Sequence, residues 1–247
     1  MLDKVKGIVI RTQDYGETNK IVTIYSANAG KVSAVARGAK KPKSRMAAVT
    51  QPFIYGEFMA YLSSGLGTIQ QAEVIHSFRE IRQDIFKTAY ASYILELTDK
   101  LVENRQGNAF LFQQLYLTLE WIAAGKDMAV PIMMYELKLY AVSGFAPVVH
   151  HCVSCESKQF PFAFSIAEGG LLCPKCRYKD PHAIGLPDAV AKLLHLFTKA
   201  DLKRVGQISV KPDNLNRLRM LLDAYYDQYG GYFLKTKRFL NQLDKLK

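Results

Sequence analysis

The sequence lacks several features that would place it in a familiar functional class. It has no apolar run long enough to cross a bilayer, and no secretory leader precedes its first strand-like segment. It also lacks a carboxylate cluster, a nucleophile motif and a phosphate-binding loop, because Gly65-Leu-Gly67 is too short for a nucleotide fingerprint. These absences favour a cytoplasmic protein that has no membrane partner and is not an enzyme.

Cysteine is scarce, and the four cysteines form two Cys-x-x-Cys pairs, Cys152 with Cys155 and Cys173 with Cys176. Seventeen residues separate the pairs, which is typical of a tetrahedral zinc site built from two tight turns and the hairpin between them. Four thiolates fill the coordination shell and leave no position for an activated water. We therefore predict one structural zinc ion.

Other interpretations of the cysteines remain open at this point. Disulfides are less favoured because cytosolic thiols stay reduced. A redox-active pair is less favoured because neither pair begins a helix after a strand in a βαβ unit. His150 and His151 adjoin Cys152 and could replace a cysteine as ligands, but four cysteines suffice, so we interpret both histidines as neighbours.

Composition indicates a globular protein with an anionic partner. The 247 residues are 49% hydrophobic and 22% charged, which is enough chain for a real core and two domains. Lys and Arg total 33 against 22 Asp and Glu, which gives a formal net charge of +11. Such a balance points to nucleic acid first and to an acidic protein surface second.

The N-terminal part of the chain reads as strands. Runs with β-branched and aromatic residues alternate with turn signals, and the predicted strands cover residues 6–11, 18–25, 30–37, 52–62 and 66–75. Five short strands predict a small antiparallel barrel over residues 1–77, with the oligonucleotide-binding (OB) type as the natural candidate. An SH3-like barrel remains open, because strand count does not fix topology.

After Phe78 the apolar period becomes helical. One long helix is predicted from about residue 79 to about 104, and Pro131 should lie in the first turn of a later one. The remaining predicted helices are 110–124, 132–142, 187–198, 212–229 and 233–246. The predicted fold is therefore α+β, with the barrel followed by a helical domain over 78–247 that a zinc finger at about 148–180 interrupts.

Positive charge is concentrated in an acid-free window between residues 31 and 56. The candidate DNA-binding cations there are Lys31, Arg37, Lys40, Lys41, Lys43 and Arg45. Arg11 and Lys20 flank the first turn and could extend the track. Gly38 and Pro42 argue against a helix, so we expect a mobile loop whose point charges suit phosphates.

Aromatic residues of the barrel are candidates for stacking on bases. They are Tyr15, Phe53, Tyr55, Phe58 and Tyr61. Because most aromatics at alternating strand positions belong to the core, only the turn residue Tyr15 is expected to be exposed.

A second basic cluster lies near the C-terminus, where Lys235, Lys237 and Arg238 stand beside Phe239 and Leu240. Cations around an apolar patch could bind an acidic, hydrophobic peptide end. Alternatively, a basic last helix could complement its own macrodipole and pack its leucines inward. The residues alone favour the second interpretation.

Several stretches together resemble the bacterial recombination mediator family RecO. They are Asp14-Tyr-Gly-Glu17, Gly30-Lys-Val-Ser-Ala-Val-Ala-Arg-Gly-Ala39 running into Lys40-Lys-Pro-Lys-Ser-Arg45, Gln51-Pro-Phe53, Gly144-Phe-Ala-Pro147, the cysteine pairs with Glu168-Gly-Gly170, and Leu234-Lys-Thr-Lys-Arg-Phe-Leu240. The match follows nearly the whole chain in order, and the barrel segment is its most specific part.

The resemblance implies an OB barrel, a helical domain with a zinc finger, and binding of single- and double-stranded DNA. It implies strand annealing and help in loading RecA onto strands coated by single-stranded-DNA-binding protein. It also implies two partners, RecR and the acidic tail of that coating protein, with Lys235 and Arg238 as the tail-binding residues. The remaining alternatives are a zinc-containing nuclease or nucleotidyl transferase and an RNA- or ribosome-associated zinc-ribbon protein.

Overall fold

A computed structural model of the chain describes residues 2–63 and 65–244. Contacts within the chain divide it into two compact units. The first comprises Met1–Met128 and Leu234–Lys247, and the second is the continuous segment Ala129–Phe233. The first unit is therefore discontinuous in sequence. The domain boundary predicted between residues 77 and 78 stays a prediction. The two compact units describe which parts of the chain contact one another, and they do not test that boundary.

The first unit contains the predicted five-stranded barrel. Its strands are β1 (Leu2–Tyr15), β2 (Asn19–Ser26), β3 (Gly30–Ala36), β4 (Tyr55–Tyr61) and β5 (Gly67–His76). They close in the order β1-β2-β3-β5-β4, with β1 pairing to both β2 and β4. All pairs are antiparallel except β3 with β5. This order confirms the OB-type barrel.

Closure depends on the length of β1. Its first half, from Leu2 to Ile8, pairs with β4, and its second half, from Gly7 to Tyr15, pairs with β2. The register shifts between Val9 and Arg11, where a bulge lets the strand bend from one neighbour to the other. One strand therefore closes both edges, and no strand at this seam is left unpaired.

Alternation along the strands builds the barrel core. In β3 the residues Val32, Ala34 and Ala36 are buried, while the residues between them are partly exposed. The same alternation in β4 turns Phe58 and Ala60 inward. Each fully buried large apolar side chain contributes roughly 1.5–3 kcal/mol. The period of two in the sequence therefore reflects an inside and an outside of the barrel.

Helices complete the first unit. They are α1 (Arg45–Val49), α2 (Arg79–Arg82), α3 (Ile85–Leu101), α4 (Ala109–Ala123) and α8 (Lys235–Asp244). The prediction of one unbroken helix after Phe78 was wrong, because the Asp84 carboxylate accepts a hydrogen bond from Lys87 N–H at 3.0 Å and begins a new helix there. The expected loop after Gly38 also ends earlier than predicted, since Arg45 already starts α1.

The second unit contains three helices and a small three-stranded sheet. Its helices are α5 (Ala129–Val142), α6 (Asp188–Lys199) and α7 (Pro212–Tyr229), with 3-10 turns at Arg177–Lys179 and Leu202–Gln207. The sheet has the order β7-β6-β8 and consists of β6 (Ala163–Ser165), β7 (Gly170–Leu172) and β8 (Ile184–Gly185). The sequence predicted the β6–β7 hairpin but not β8. Pro131 lies in the first turn of α5, as predicted, although the helix begins at Ala129.

Two charged side chains inside α5 are paired within the second unit. Both carboxylate oxygens of buried Glu136 accept hydrogen bonds from Arg219 Nη1 at 2.9 Å. Buried Lys138 donates to the carbonyl of Phe197 at 3.0 Å, and burial lowers the pKa of Lys138 to about 8. These pairs fix α5 against α7 and α6, because an unpaired buried charge would cost several kcal/mol.

Two glycines at positive φ offer a test of backbone crowding in the first unit. Gly30 has φ +64°, and a Cβ there would lie 2.5 Å from the backbone nitrogen of Gln106. Gly16 has φ +60°, but a Cβ there would meet nothing within 4 Å. We expect Gly30→Ala to lower the free energy of unfolding by about 3 kcal/mol or more and Gly16→Ala by about 1 kcal/mol. Urea titration of both variants measures the difference, and equal losses would contradict it.

Candidate metal centre and nucleic-acid interface

The two cysteine pairs converge in the second unit. The four sulfurs lie within 4.8 Å of one another. In the first turn, Glu156 N–H donates to the carbonyl of Cys152 at 2.9 Å, and in the second Cys176 N–H donates to the carbonyl of Cys173 at 3.0 Å. The hairpin of β6 and β7 joins the turns. This cluster could hold one metal ion.

The acid–base chemistry of the thiols fits a metal ion. Although burial desolvates the Cys152 thiol, backbone hydrogen bonds from Cys173 and Cys155 lower its pKa to about 6. The backbone of Ser157 favours a thiolate at Cys155, but the adjoining thiol of Cys176 and others raise the pKa of Cys155 to about 12. The cluster therefore favours a thiolate at Cys152 and opposes one at Cys155. A soft divalent cation removes that conflict.

The neighbouring histidines lie outside the cysteine cluster. His151 Nδ1 is 2.9 Å from the carbonyl oxygen of Cys152. The ring of His150 lies 4.1 Å from that of His151 and 6.3 Å from that of His195, centroid to centroid. Among the residues described, the group of potential metal ligands contains the four cysteines alone.

The basic window forms a surface segment that we call the basic loop, residues 37–45. It is bonded to the turn between β1 and β2 rather than free along its length, which differs from the expected mobile loop. Lys40 N–H donates to the carbonyl of Thr18, and Gly38 N–H donates to Oδ1 of Asn19, both at 2.9 Å. The Lys40 ammonium also lies 2.9 Å from Asp14, and this hydrogen bond lowers the pKa of the Asp14 carboxyl. The two loops therefore present one surface.

Three of the predicted DNA-binding cations have carboxylate partners. Lys31 is largely buried, donates to the main-chain carbonyl of Asp99, and lies 3.7 Å from its carboxylate. Arg11 reaches the other oxygen of the same carboxylate at 3.4 Å. Lys40 is paired with Asp14. An acid-free window in sequence is therefore not acid-free in space.

The other cations of the basic loop are available to a ligand. Arg37, Lys41, Lys43 and Arg45 are exposed. Within the described part of the chain none of these four has a carboxylate within ion-pair distance. Lys20 is half-buried at the start of β2. The hydrogen bond from Lys40 is the main cause of the lowered pKa of Asp14, and the positive charge of Lys20 lowers this pKa further.

Exposed aromatic side chains accompany these cations. Tyr15 is 49% exposed, as predicted, although it is the last residue of β1 rather than a turn residue. Phe53 and Phe58 are buried, and Tyr55 packs on Phe112 of α4 at 5.8 Å. The expectation that Tyr61 is also core was wrong, because it is 52% exposed. As the last residue of β4 it lies beyond the filled barrel core.

The strand register places Tyr61 on the basic side of the barrel. Tyr61 pairs with Thr68 of β5, and Thr68 pairs with Val35 of β3. Val35 is the last but one residue of β3, and Arg37 directly follows that strand. Tyr61 therefore lies at the end of the barrel where β3 leads into the basic loop.

The second basic cluster begins α8. Lys235 and Arg238 are both exposed, and they occupy the first turn of this helix. The macrodipole part of the second interpretation was wrong, because the positive end of the dipole disfavours cations in the first turn. Its other part is confirmed, because Leu240 and Leu243 are buried. The Glu96 carboxylate of α3 offsets this by accepting from the N–H groups of Thr236 at 2.9 Å and Lys235 at 3.3 Å.

A cavity of about 390 Å³ adjoins the start of α8 within the first unit. Its apolar lining comes from Ile10, Pro52, Phe53 and Leu95, and its charged lining comprises Arg11, Lys100 and Lys235 together with Glu96 and Asp99. Arg238 does not line the cavity. The structure therefore brings Lys235 together with Arg11, two residues that the sequence assigned to different ligands.

Sequence reasoning missed the two acids that organise this unit, Glu96 and Asp99. Both lie on α3, three residues apart, which puts them on one helix face. The Asp99 carboxylate pairs with Lys31 and Arg11, and the Glu96 carboxylate accepts a hydrogen bond from Thr236 N–H at the start of α8. Their spacing was visible in the sequence, but their partners are distant in the chain, so nothing local indicated these roles.

Comparison with known proteins matches this architecture over the whole chain. The family model described as recombination protein O N terminal matches residues 1–78, and the one described as recombination protein O C terminal matches residues 82–238. The chain belongs to the RecO family. The DNA repair protein RecO of Oceanobacillus iheyensis is 54% identical over 244 residues, which cover 99% of this chain and 95% of that protein.

Two other relatives show similar coverage. The DNA repair protein RecO of Bacillus mycoides is 53% identical over 245 residues, 99% of each chain. That of Halalkalibacterium halodurans is 48% identical over 246 residues, which cover 100% of this chain and 97% of its own. RecO relatives thus match this chain nearly end to end, and the resemblance drawn from the sequence is confirmed.

The cysteine cluster predicts one divalent metal ion per chain. We expect Cys155→Ser to lower the metal content to near zero and to lower the melting temperature, because metal binding supplies folding free energy to the hairpin. The Ser154→Ala change beside it, at a partly exposed position, serves as the control. Elemental analysis with thermal unfolding measures both quantities. A metal-free wild-type protein, or a disulfide among these cysteines, would contradict the assignment.

Proposed function

We propose that this protein is a recombination mediator that binds single- and double-stranded DNA and anneals complementary strands. It also helps to load RecA onto strands coated by single-stranded-DNA-binding protein. The observation that carries the proposal is the basic loop. In a member of the RecO family, an OB-type barrel carries four exposed cations without a carboxylate partner among the described residues, and two of its strands end in the exposed residues Tyr15 and Tyr61.

The chemistry of this surface suits a flexible polyanion. Lys41, Lys43 and Arg45 place charges on long side chains within one short segment, and phosphates need neutralisation without fixed geometry. Tyr15 and Tyr61 offer rings on which bases can stack whatever their sequence. The proposed site therefore binds DNA without sequence preference.

Not every predicted cation contributes equally to this proposal. Arg37, Lys41, Lys43 and Arg45 form its centre, with Lys20 at its edge. Lys31 and Arg11 share Asp99, so DNA would have to compete with an existing carboxylate for their charge. Lys40 holds the basic loop to Asp14 and contributes to DNA binding by positioning its neighbours.

We assign zinc to the cysteine cluster and a structural role to the ion. Four sulfur ligands that can coordinate one ion tetrahedrally select zinc over the harder divalent ions, which prefer oxygen. Cys152, Cys155, Cys173 and Cys176 would hold the ion, and a shell of four thiolates leaves no place for a reacting water. This donor set supports a binding protein rather than a zinc-dependent nuclease.

The proposed protein partners are RecR and the acidic tail of the single-stranded-DNA-binding protein. For the tail, Lys235 and Arg238 would pair with carboxylates, while the apolar wall of the adjoining cavity would receive hydrophobic side chains. Lys235 lines this cavity and Arg238 does not, so the structure supports a tail-binding role for Lys235 more strongly than for Arg238. RecR and RecA enter the proposal through the family alone.

A physical mechanism connects these contacts. A mediator that holds the tail of the coating protein also holds the strand, so a weak phosphate contact acts at high effective concentration. Annealing brings together two strands of like charge, and a basic surface lowers that repulsion. Binding and neutralisation therefore suffice, and no bond needs to be made or broken.

We also propose a cytoplasmic location in association with the nucleoid. In the described ranges of the chain, no helix has both the length and the hydropathy that crossing a membrane requires. The net charge of +11 would draw the protein to chromosomal DNA.

DNA binding is expected to be mainly electrostatic. If four to six phosphates of a single strand are engaged, log affinity should fall against log salt with a slope of about −3 to −4. Changing Lys41, Lys43 and Arg45 together to Glu removes three contacts and should reduce the magnitude of that slope by about 2. Fluorescence anisotropy with a labelled strand, measured over a salt series, tests this directly.

The matched control reverses three exposed cations elsewhere, Lys203, Arg204 and Lys211, and so makes the same change in net charge. This control should keep the wild-type slope. Equal weakening in both triple variants would mean that overall charge governs binding, and the assignment of the basic loop would be withdrawn.

Tail binding is expected to depend on the start of α8. The double change Lys235→Glu with Arg238→Glu should weaken binding of a synthetic acidic tail peptide about tenfold, or about 1.4 kcal/mol. Affinity for bare DNA should stay within about twofold, since the basic loop is intact. The control reverses Arg105 and Lys126, which are also exposed cations of the first unit. Unchanged peptide affinity in the Lys235 and Arg238 variant would refute this site.

Annealing assays connect both contacts to function. On strands coated by single-stranded-DNA-binding protein, the α8 double variant should anneal slowly, whereas on bare strands it should match the wild type. The basic-loop triple variant should fail on both substrates. A wild-type protein that does not accelerate annealing of coated strands would overturn the proposed function itself.

A further inference from the structure

The second unit carries a groove that the proposed function does not use. A cavity of about 440 Å³ opens beside the metal-binding turn Cys173–Cys176. Its walls are formed by Phe162, Pro174, Leu186 and Pro187, and its rim carries Arg177 and Arg217. A volume of this size accommodates a flat aromatic group of the dimensions of a nucleobase.

The two arginines of the groove are free to bind an anion. Neither Arg177 nor Arg217 has a carboxylate within ion-pair distance in the part of the chain that the structure describes. The Arg177 guanidinium lies beside Gly185, 3.6 Å from where a side chain at that position would begin. Arg177 is itself exposed, and a planar guanidinium suits bidentate binding of phosphate.

Two exposed aromatic rings adjoin residues that line the groove. Tyr178, next to Arg177 in the 3-10 turn, is 77% exposed. Phe160 is 37% exposed, and its ring centroid lies 4.8 Å from that of Phe162 in the groove wall. The Lys192 ammonium stands 5.4 Å over the Phe160 ring. Exposed rings that alternate with cations are typical of surfaces on which unpaired bases stack.

We infer that this groove is a second contact surface for single-stranded nucleic acid. A base enters the apolar cavity, the phosphates beside it pair with Arg177 and Arg217, and Tyr178 stacks on a neighbouring base. The inference rests on the proposed function in one respect, the choice of nucleic acid as the class of ligand. It uses residues of the second unit, none of which the barrel site contains.

Two alternative roles of the same residues would have different consequences. A divalent ion with four thiolates leaves a net charge of −2, and Arg177 with Lys175 and Lys179 could serve only to offset it. In that case their loss would affect the metal centre and not DNA binding. An acidic peptide would also pair with the arginines, but it would not require an exposed ring at Tyr178.

The test compares single-strand affinity of full-length variants by anisotropy with labelled oligothymidylate. Arg177→Glu with Arg217→Glu should weaken binding about tenfold, and Tyr178→Ala about fivefold, whereas Tyr178→Phe should retain affinity because the ring remains. Lys203→Glu with Arg204→Glu is the control of equal charge in the same unit. In the wild type, an iodouracil-substituted strand should cross-link to Tyr178 or Phe160 on irradiation.

The outcomes separate this inference from the barrel proposal. If the basic-loop triple variant loses affinity and the groove variants do not, the groove inference falls alone. If the groove variants lose affinity and the basic-loop variant does not, the groove stands and the barrel site falls. Unchanged DNA affinity with lower metal content or melting temperature would assign the arginines to the metal centre. Loss of binding to an acidic peptide without loss of binding to DNA would likewise overturn the inference.

Discussion

The first unit depends on a single strand that bonds along both of its edges. β1 closes the barrel because the bulge after Val9 turns it from β4 to β2. Closure fixes the turn between β1 and β2, and this turn holds the basic loop through Thr18, Asn19 and Asp14. The position of the proposed DNA-binding surface is therefore a consequence of how the barrel closes.

Pairing divides the predicted DNA-binding cations at this end of the chain into two groups with different roles. Lys31, Arg11 and Lys40 have carboxylate partners and hold elements of the first unit together. Arg37, Lys41, Lys43 and Arg45 are exposed without such partners among the described residues and can exchange small counterions for phosphates. Net charge alone does not make this distinction. It follows from Asp99 and Asp14, two acids outside the basic window.

Much of the fold could be predicted from the sequence, because its local signals agree with its tertiary structure. Alternating apolar residues predicted all five barrel strands, and the paired cysteines predicted the cluster of four sulfurs. The break before α3 was missed because Asp84 acts as a cap only once the chain turns there. Tyr61 was misplaced because the period of two does not reveal where a strand leaves the filled core.

The candidate sites were less predictable than the fold for a physical reason. A sequence displays charges, but it does not display their partners when these are distant along the chain. Asp99 lies 68 residues from Lys31 and 88 from Arg11, and Glu96 lies 140 from Thr236. The groove of the second unit likewise combines residues of the Cys173–Cys176 turn with Arg217 of α7. Such combinations appear only when the chain is folded.

The capping of α8 by Glu96 has a consequence for how the protein is made. During synthesis the N-terminal barrel and α3 leave the ribosome long before Thr236 exists, and the whole of Ala129–Phe233 is translated in between. The second unit is continuous and can complete its contacts during translation, while the first unit must wait for α8. The unit that begins first is therefore completed only after the whole of the second unit has been translated.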